Sequence, residues 1–204
     1  MTDQNQTLSA DIAFMRTLAE EGRNGPVGGG AILVLFGGVY AAASLSTAYA
    51  IGTGLAPRAP LFFPIVWFGA SVLAAIGLTL LKLSQPKKSG SSRAAGLAWV
   101  AAGWTICAII VSLTLIGART GNWSVMEAMG PVVLSIYGGA WFIAAQVSGQ
   151  KWLGLVALSA FAMAAVNAWF VTDPAIMFLI YAASLLALLS APGLVLMRQA
   201  GRAA

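Results

Sequence analysis

The sequence predicts an all-α membrane protein with six transmembrane helices, and composition and segment length predict it together. Hydrophobic residues make up 59% of the 204 residues and charged residues only 8%, which is roughly a third of the charged fraction of soluble domains. A soluble domain with so little charge could not cover its own surface. Six apolar segments also reach the roughly 20 residues that a helix needs to cross a bilayer. Lipid, rather than water, is therefore predicted to surround these segments, and the bilayer is a predicted binding partner of the chain.

The six predicted helices are the apolar runs between polar connections. They cover residues 27–51, 60–81, 94–117, 125–147, 152–172 and 174–197. The chain accordingly divides into two helices within 27–83, a polar cytoplasmic linker at 84–93, four helices within 94–197 and a cytoplasmic tail at 198–204. Asp173 and Pro174 have the residue types of an N-cap and a first helical residue. Pro192 and Gly193 predict that the sixth helix ends or kinks near its exit.

The first 26 residues are polar and contain one predicted helix at about 9–21. Ser9 is a suitable N-cap, and Asp11 lies in the first turn, where a negative charge is favourable. The loose apolar face of this helix predicts that it lies on the membrane surface. The alternative is that it docks onto a cytoplasmic partner.

Basic residues predict the orientation of the chain. Nine of the 11 Lys and Arg residues fall on the side of the membrane that holds both termini: Arg16, Arg23, Lys82, Lys87, Lys88, Arg93, Lys151, Arg198 and Arg202. The other side has only Arg58 and Arg119. Because cytoplasmic loops carry the excess of Lys and Arg, both termini are expected in the cytoplasm of a bacterial-type inner (plasma) membrane.

The same residues argue against several classes of function. The net charge is +5, but the basic residues are scattered and form no stripe that could follow nucleic-acid phosphates. The chain has no His, and Cys107 is its only Cys, which excludes histidine-ligated haem and the common zinc sites. No ionisable residue lies deep within a predicted helix. We therefore predict no catalytic, cofactor-binding or metal-binding residue.

Four charged residues are predicted to share the outer rim of the membrane: Arg58, Arg119, Glu127 and Asp173. Two carboxylates and two guanidinium groups at one depth are compatible with an ion-pair cluster that seals the outer face, or with an entry vestibule. The alternative is ordinary solvated loop charge, because exposed ion pairs contribute little individually.

A short repeated motif suggests internal symmetry. Residues 36–40 and 137–141 both read aromatic-Gly-Gly-x-aromatic, and they lie in the first and fourth helices, which cross the membrane in opposite directions. This arrangement predicts a 3+3 inverted repeat, in which substrate sites often lie at weakened helices. Gly37, Gly38, Gly138 and Gly139 would then mark helix breaks along a solute path. Short matches also arise by chance in a chain with 23 Gly residues.

Neutral polar residues complete this interpretation. Tyr137 and Asn167 would provide polar contacts along the path, and Asn167 could be the centre of a ligand pocket. The alternative for such residues is an interhelical hydrogen bond, worth roughly 0.6 kcal/mol.

Two functional hypotheses follow. The first is a non-enzymatic polytopic inner-membrane protein that acts through a protein partner, as a membrane regulator or an accessory subunit of a complex, with homo-oligomerisation as one form of partnership. The second is a small transporter or channel for a neutral or hydrophobic solute. An enzyme is disfavoured because the deep residues provide no pair of nucleophile and base.

Overall fold

A computed structural model describes residues 29–55, 61–84 and 90–203, with the side chains of residues 82–84, 90–94 and 203 excepted. The predicted surface helix at 9–21 lies outside the described residues, as do Arg58 and linker residues 85–89. All regular secondary structure in the described ranges is helical.

The chain folds into a bundle of long apolar helices. These are α1 (Gly30–Gly52), α2 (Phe62–Ser84), α3 (Gly90–Thr120), α4 (Met129–Ser148), α5 (Lys151–Trp169), α6 (Pro174–Leu185) and α7 (Ala191–Ala203). A 3₁₀ segment (Trp123–Ala128) leads into α4, and a π-helical segment (Leu186–Ser190) joins α6 to α7. We call α6, the π segment and α7 together the sixth span. Among the residues that the structure describes, six spans are long and apolar enough to cross a membrane, which confirms the predicted fold class.

Local sequence signals fix two helix ends. The Asp173 side chain accepts a hydrogen bond from the backbone N–H of Ile176 at 3.3 Å, and Pro174 lies in the first turn of α6. The predicted N-cap is therefore confirmed. The second is the C-terminal end of α4, where Gly149 has a left-handed φ of 68°. Glycine adopts this conformation without steric cost, so the chain can reverse tightly into α5.

Two tight helix pairs form the centre of the bundle, α4 with α5 and α1 with the sixth span. The buried positions of α5 are spaced alternately by four and three residues, which places them on one face. They are Leu153, Ala157, Ala160, Ala164 and Asn167. Because three of these side chains are methyl groups, the backbones of α4 and α5 can approach closely, and van der Waals packing can hold the pair in lipid.

The pair formed by α1 and the sixth span is closest where two glycines meet. A Cβ atom added at Gly30 would overlap the carbonyl oxygen of Gly193, and a Cβ at Gly193 would lie 2.7 Å from the carbonyl oxygen of Gly30. The two backbones are therefore in contact, and neither position has room for a side chain. In contrast, α2 packs mainly on α1 alone, and α3 mainly on α4 and the 3₁₀ segment before it.

The prediction that the sixth helix ends or kinks at Pro192-Gly193 is wrong in position. The helix continues through both residues to Ala203, and the departure from α-helical geometry lies in the π segment just before them. A proline inside an α-helix has no N–H to donate, and its ring clashes with the carbonyl four residues earlier, here Leu188. Within the π segment the N–H of Ala191 instead donates to the carbonyl of Leu186, which changes the backbone path ahead of the proline.

Candidate functional site

The most specific polar contact inside the bundle joins α4 to the π segment. Trp141 is completely buried, and its indole Nε1–H donates to the carbonyl oxygen of Leu188 at 2.9 Å. In an α-helix this carbonyl would accept the N–H of residue 192, but Pro192 has none. An unpaired carbonyl in hydrocarbon costs several kcal/mol. The indole therefore replaces the hydrogen bond that the proline cannot make.

Aromatic rings connect this contact to α3. Trp99 of α3 packs edge-on against Trp141, with ring centroids 5.1 Å apart and an interplanar angle of 83°. The ring of Tyr137 lies 5.7 Å from that of Trp99. We call these three residues the α3–α4 aromatic cluster. Through it, α3 contacts the residue that donates to the π segment.

A second group of rings links α1, α2 and α6. Tyr40 of α1 stacks on Trp67 of α2 at 6.1 Å, and Trp67 also contacts Phe178 of α6 at 6.1 Å. The Trp67 indole donates to the hydroxyl of Thr47 at 3.2 Å. These contacts attach α2 to the bundle at one end, while most of its remaining surface faces outward.

The predicted helix breaks at the glycine pairs are not seen. The helices α1 and α4 run without interruption through Gly37-Gly38 and Gly138-Gly139. The physical reason is that lipid offers no water to backbone N–H and C=O groups, so an α-helix persists through glycines that would weaken it in water. Within the described spans, departures from α-helical geometry are the 3₁₀ segment that leads into α4 and the π segment.

Only the first glycine of each pair is tightly packed. A Cβ at Gly37 would overlap the hydroxyl of Ser190, and a Cβ at Gly138 would lie 2.7 Å from the ring of Phe161. Nothing lies within 4 Å of a Cβ added at the second glycine of either pair. Gly37 thus meets the sixth span, whereas Gly138 meets α5. The two motifs have different neighbours, and the inverted repeat stays a prediction.

Substitutions at one pair test this difference. We expect Gly37→Ala to lower the free energy of unfolding by about 1–3 kcal/mol, because the new methyl group overpacks the contact with Ser190. The control, Gly38→Ala, is expected to be neutral or to stabilise by up to about 1 kcal/mol through helix propensity. The measurement is equilibrium unfolding in bicelles by steric trapping. Equal destabilisation by both variants would show that the packing contrast is absent.

Asn167 lies at a junction of three helices, α4, α5 and α6. It is completely buried near the end of α5, and its Nδ2 donates to the carbonyl of Met177 in α6 at 2.8 Å. Its Oδ1 has no hydrogen-bond partner and points at Gly130 in the first turn of α4, where a Cβ would overlap it. A partially negative oxygen is favourable at a helix N-terminus. Interhelical bonding, the alternative to the predicted ligand pocket, is the role that this geometry supports.

The contact between Asn167 and Gly130 predicts compensation. We expect Gly130→Ala to destabilise the bundle by about 1–3 kcal/mol, because its methyl group collides with the Asn167 amide. In the Asn167→Ala background the same substitution should cost much less, with a coupling energy of about 1 kcal/mol or more. A double-mutant cycle of unfolding free energies measures this coupling. Strict additivity would contradict the contact.

Two cavities among the described residues are open apolar grooves. One, of about 500 Å³, lies between α4 and α5 and includes Pro131, Ser135 and Phe161. The other, of about 460 Å³, lies between α5 and the sixth span and includes Ser159, Met163 and Leu188. Neither contains the predicted solute-path residues.

The predicted outer-rim residues have separate surroundings. Asp173 is the N-cap of α6, Arg119 is exposed near the end of α3, and Glu127 is half-buried in the 3₁₀ segment. No ion pair joins these three in the described part of the chain, and Arg58 lies outside it. The ion-pair cluster therefore stays a prediction.

Trp141 ends the aromatic-Gly-Gly-x-aromatic motif of the fourth helix, and Pro192 lies near the predicted exit of the sixth helix, but the sequence does not connect the two residues. The signal was present, since a proline inside a transmembrane helix leaves a carbonyl that needs another donor. Trp141 and Leu188 are 47 residues apart in sequence, so only the tertiary structure identifies which indole supplies the N–H. No protein-family model, curated protein or solved structure matches the chain, and its six apolar helices define it as a polytopic membrane protein.

Proposed function

We propose that this chain is a non-enzymatic membrane protein that acts through a protein partner, as a regulator or an accessory subunit of a complex. It would lie in a bacterial-type inner membrane with both termini in the cytoplasm. The observation that carries the proposal is the exposure of α2 and α3. In the most apolar 18-residue stretch of each helix, only 11% of the residues are buried within the chain, whereas 50% are buried in the corresponding stretch of the sixth span. Two of six spans thus leave most of their surface available to another protein.

The exposed surface includes large aromatic side chains. Phe68 on α2 is 73% exposed and Trp104 on α3 is 75% exposed. Trp and other aromatic residues are enriched at the energetic centres of protein interfaces. Both residues lie within their spans rather than at the ends, where aromatic residues act as membrane-interface anchors. They are therefore the contact residues that we assign to the partner.

The basic linker joins these same two helices. Residues 84–93 contain Lys87, Lys88 and Arg93, between the end of α2 at Ser84 and the first turn of α3. An apolar membrane surface and a positively charged cytoplasmic segment are thus continuous in the chain. The complementary partner has a transmembrane helix and an acidic cytoplasmic surface, because opposite charge steers and orients association.

Photo-crosslinking tests the assignment. Benzoylphenylalanine is introduced at Phe68 or Trp104, and at Leu155 or Leu158 of α5 as controls, which are 66% and 65% exposed. After irradiation of intact membranes, we expect one defined protein adduct from the first two positions and only lipid adducts from the controls. The absence of a protein adduct at Phe68 and Trp104, or the same adduct from α5, would overturn the proposal. An adduct of twice the chain mass would identify the partner as a second copy.

The linker charge provides an independent test. The double variant Lys87→Glu and Lys88→Glu should lower the yield of the Trp104 adduct several-fold at low salt and less at high salt, where charges are screened. The control is Lys151→Glu, which changes an exposed charge in a different cytoplasmic loop. An unchanged yield, or the same loss in the control, would remove the linker from the binding surface.

A small transporter or channel is the second candidate, and the pattern of helix pairing favours it. The helix α1 packs on α2 and the sixth span, while α4 packs on α5 and α3. An inverted repeat exchanges the first three spans with the last three. This exchange maps the pair α1–α2 onto α4–α5, and it maps the pair of α1 and the sixth span onto α4–α3. The tightest partner differs, however, since α1 is closest to the sixth span and α4 to α5. The pairing therefore supports a transporter or channel less strongly than the exposure of α2 and α3 supports a protein that acts through a partner.

Solute flux tests this alternative directly. Proteoliposomes are exposed to glycerol or urea gradients, and volume is followed by stopped-flow light scattering. A transporter for small neutral solutes would swell the vesicles faster than empty liposomes, and Gly139→Leu, at an open helix position, would alter the rate. Identical rates with and without protein would exclude transport of these solutes.

A further inference from the structure

We propose that the sixth span is a two-state element whose second half, α7, changes register against α1, and that the hydrogen bond from Trp141 to Leu188 holds it in the register described here. The proposal rests on the π segment, on two buried polar groups that compete for satisfaction, and on the glycine contacts between α1 and α7.

The π segment contains one more residue in its turn than an α-helix would. Its closing bond runs from the N–H of Ala191 to the carbonyl of Leu186, five residues back. If this turn became α-helical with all residues retained, α7 would move by one residue. Such a step turns α7 by about 100° and shifts it by about 1.5 Å along its axis. Single π turns inside α-helices frequently mark functional positions.

Two polar groups favour different registers. The buried hydroxyl of Ser190 has no hydrogen-bond partner, whereas Ser184 donates to the carbonyl of Ile180, four residues earlier, at 2.7 Å. In α-helical geometry Ser190 would reach the carbonyl of Leu186 in the same way. The π register loses that bond and instead pairs the carbonyl of Leu188 with the indole of Trp141. Each register therefore satisfies one buried group at the expense of the other.

Glycines of α1 contact the sixth span closely in the described register. Gly37 faces Ser190, and Gly30, seven residues earlier on the same face, touches Gly193. A one-residue step would bring Pro192 to the position of Gly193, where no side chain fits against the carbonyl of Gly30, so α7 must move outward from α1 during the step. Close backbone contact without interlocking side chains holds the helices together by packing alone. The step therefore breaks this glycine contact, which together with the hydrogen bond from Trp141 holds the described register.

The α3–α4 aromatic cluster connects this register to α3. Trp99 packs directly on Trp141, so displacement of α3 alters the position of the indole that pairs with Leu188. The motion of α7 would then carry Arg198 and Arg202 to new positions. The identity of the trigger, a partner bound to α3, rests on the proposed function. The register change itself does not, and it can be measured on the isolated chain.

Electron-electron distance measurements test the register. Spin labels are placed at the exposed residues Gln146 of α4 and Met197 of α7, in a Cys107→Ser background, in lipid nanodiscs without any partner. The parent should give a single distance. Trp141→Phe removes the N–H while keeping a ring, and it should add a second distance between the two labels, which corresponds to the shifted register of α7. Trp99→Phe is the matched control, since it changes the same cluster without removing the bond to Leu188, and it should keep the parental distance.

Two further variants keep the test decisive if Trp141→Phe folds poorly. Pro192→Ala returns a backbone N–H to the carbonyl of Leu188, so the α-helical register becomes available and the second distance should appear. Deletion of Ala187 removes the additional residue of the π segment, so the turn can become α-helical while α7 keeps its parental register. The deletion should therefore remove the second distance from the Trp141→Phe chain. A single parental distance in both Trp141→Phe and Pro192→Ala would overturn the register change. The same second distance in Trp99→Phe would overturn the role of the hydrogen bond. Neither result depends on crosslinking at Phe68 or Trp104.

Discussion

Replacing Trp141 with alanine is expected to lower the free energy of unfolding by about 3–5 kcal/mol, the largest loss among the variants described. The ring is completely buried, and large-to-small substitutions at such sites leave a cavity. The substitution also leaves the carbonyl of Leu188 without a donor, and an unpaired buried acceptor costs about 1–3 kcal/mol. Steric trapping in bicelles measures the difference between the variant and the parent chain.

Trp104→Ala is the matched control, because it removes the same side chain from a position that is 75% exposed. We expect a change within about 0.5 kcal/mol, as for other surface substitutions. Trp141→Phe keeps one aromatic ring but loses the N–H and part of the ring system, so we expect a loss smaller than that of Trp141→Ala. Equal effects of Trp141→Ala and Trp104→Ala would contradict the central position of Trp141.

The second large effect is expected at the interface of α4 and α5. Ala160 is completely buried on the face of α5 that is spaced by four and three residues. Ala160→Leu adds three carbon atoms where methyl groups allow the backbones to approach, so the helices must separate. Overpacking typically costs about 1–3 kcal/mol and occasionally more, and we expect the upper part of this range. The readout is again the free energy of unfolding in bicelles.

The control for this substitution lies two residues further along the same helix. Ala162 is exposed, so Ala162→Leu adds the same atoms on the outward face, where lipid can adapt to them. We expect little change in stability from this control. A similar loss from both variants would show that helix propensity or insertion, rather than packing against α4, determines the effect.

The positions of the spans followed from the sequence because length and hydropathy belong to the residues themselves. The predicted start of the sixth helix at Pro174, with Asp173 as its cap, agrees with the structure, since capping is a local interaction. The predicted fate of Pro192 was wrong because the consequence of a helix proline depends on which distant donor meets the freed carbonyl. Gly37 and Gly38 are adjacent residues of the same type, yet only Gly37 is closely packed in the structure.

Six membrane-spanning helices, and the ends of most of them, could be predicted from residue hydropathy alone, because a bilayer requires apolar helices of a fixed minimum length. The buried faces could not be predicted in this way: the packing of the helices encloses Trp141, exposes Trp104 and leaves α2 and α3 largely uncovered. The physical reason is that lipid and protein interior are equally apolar. Hydrophobicity, which separates inside from outside in water, does not distinguish a lipid-facing side chain from a packed one.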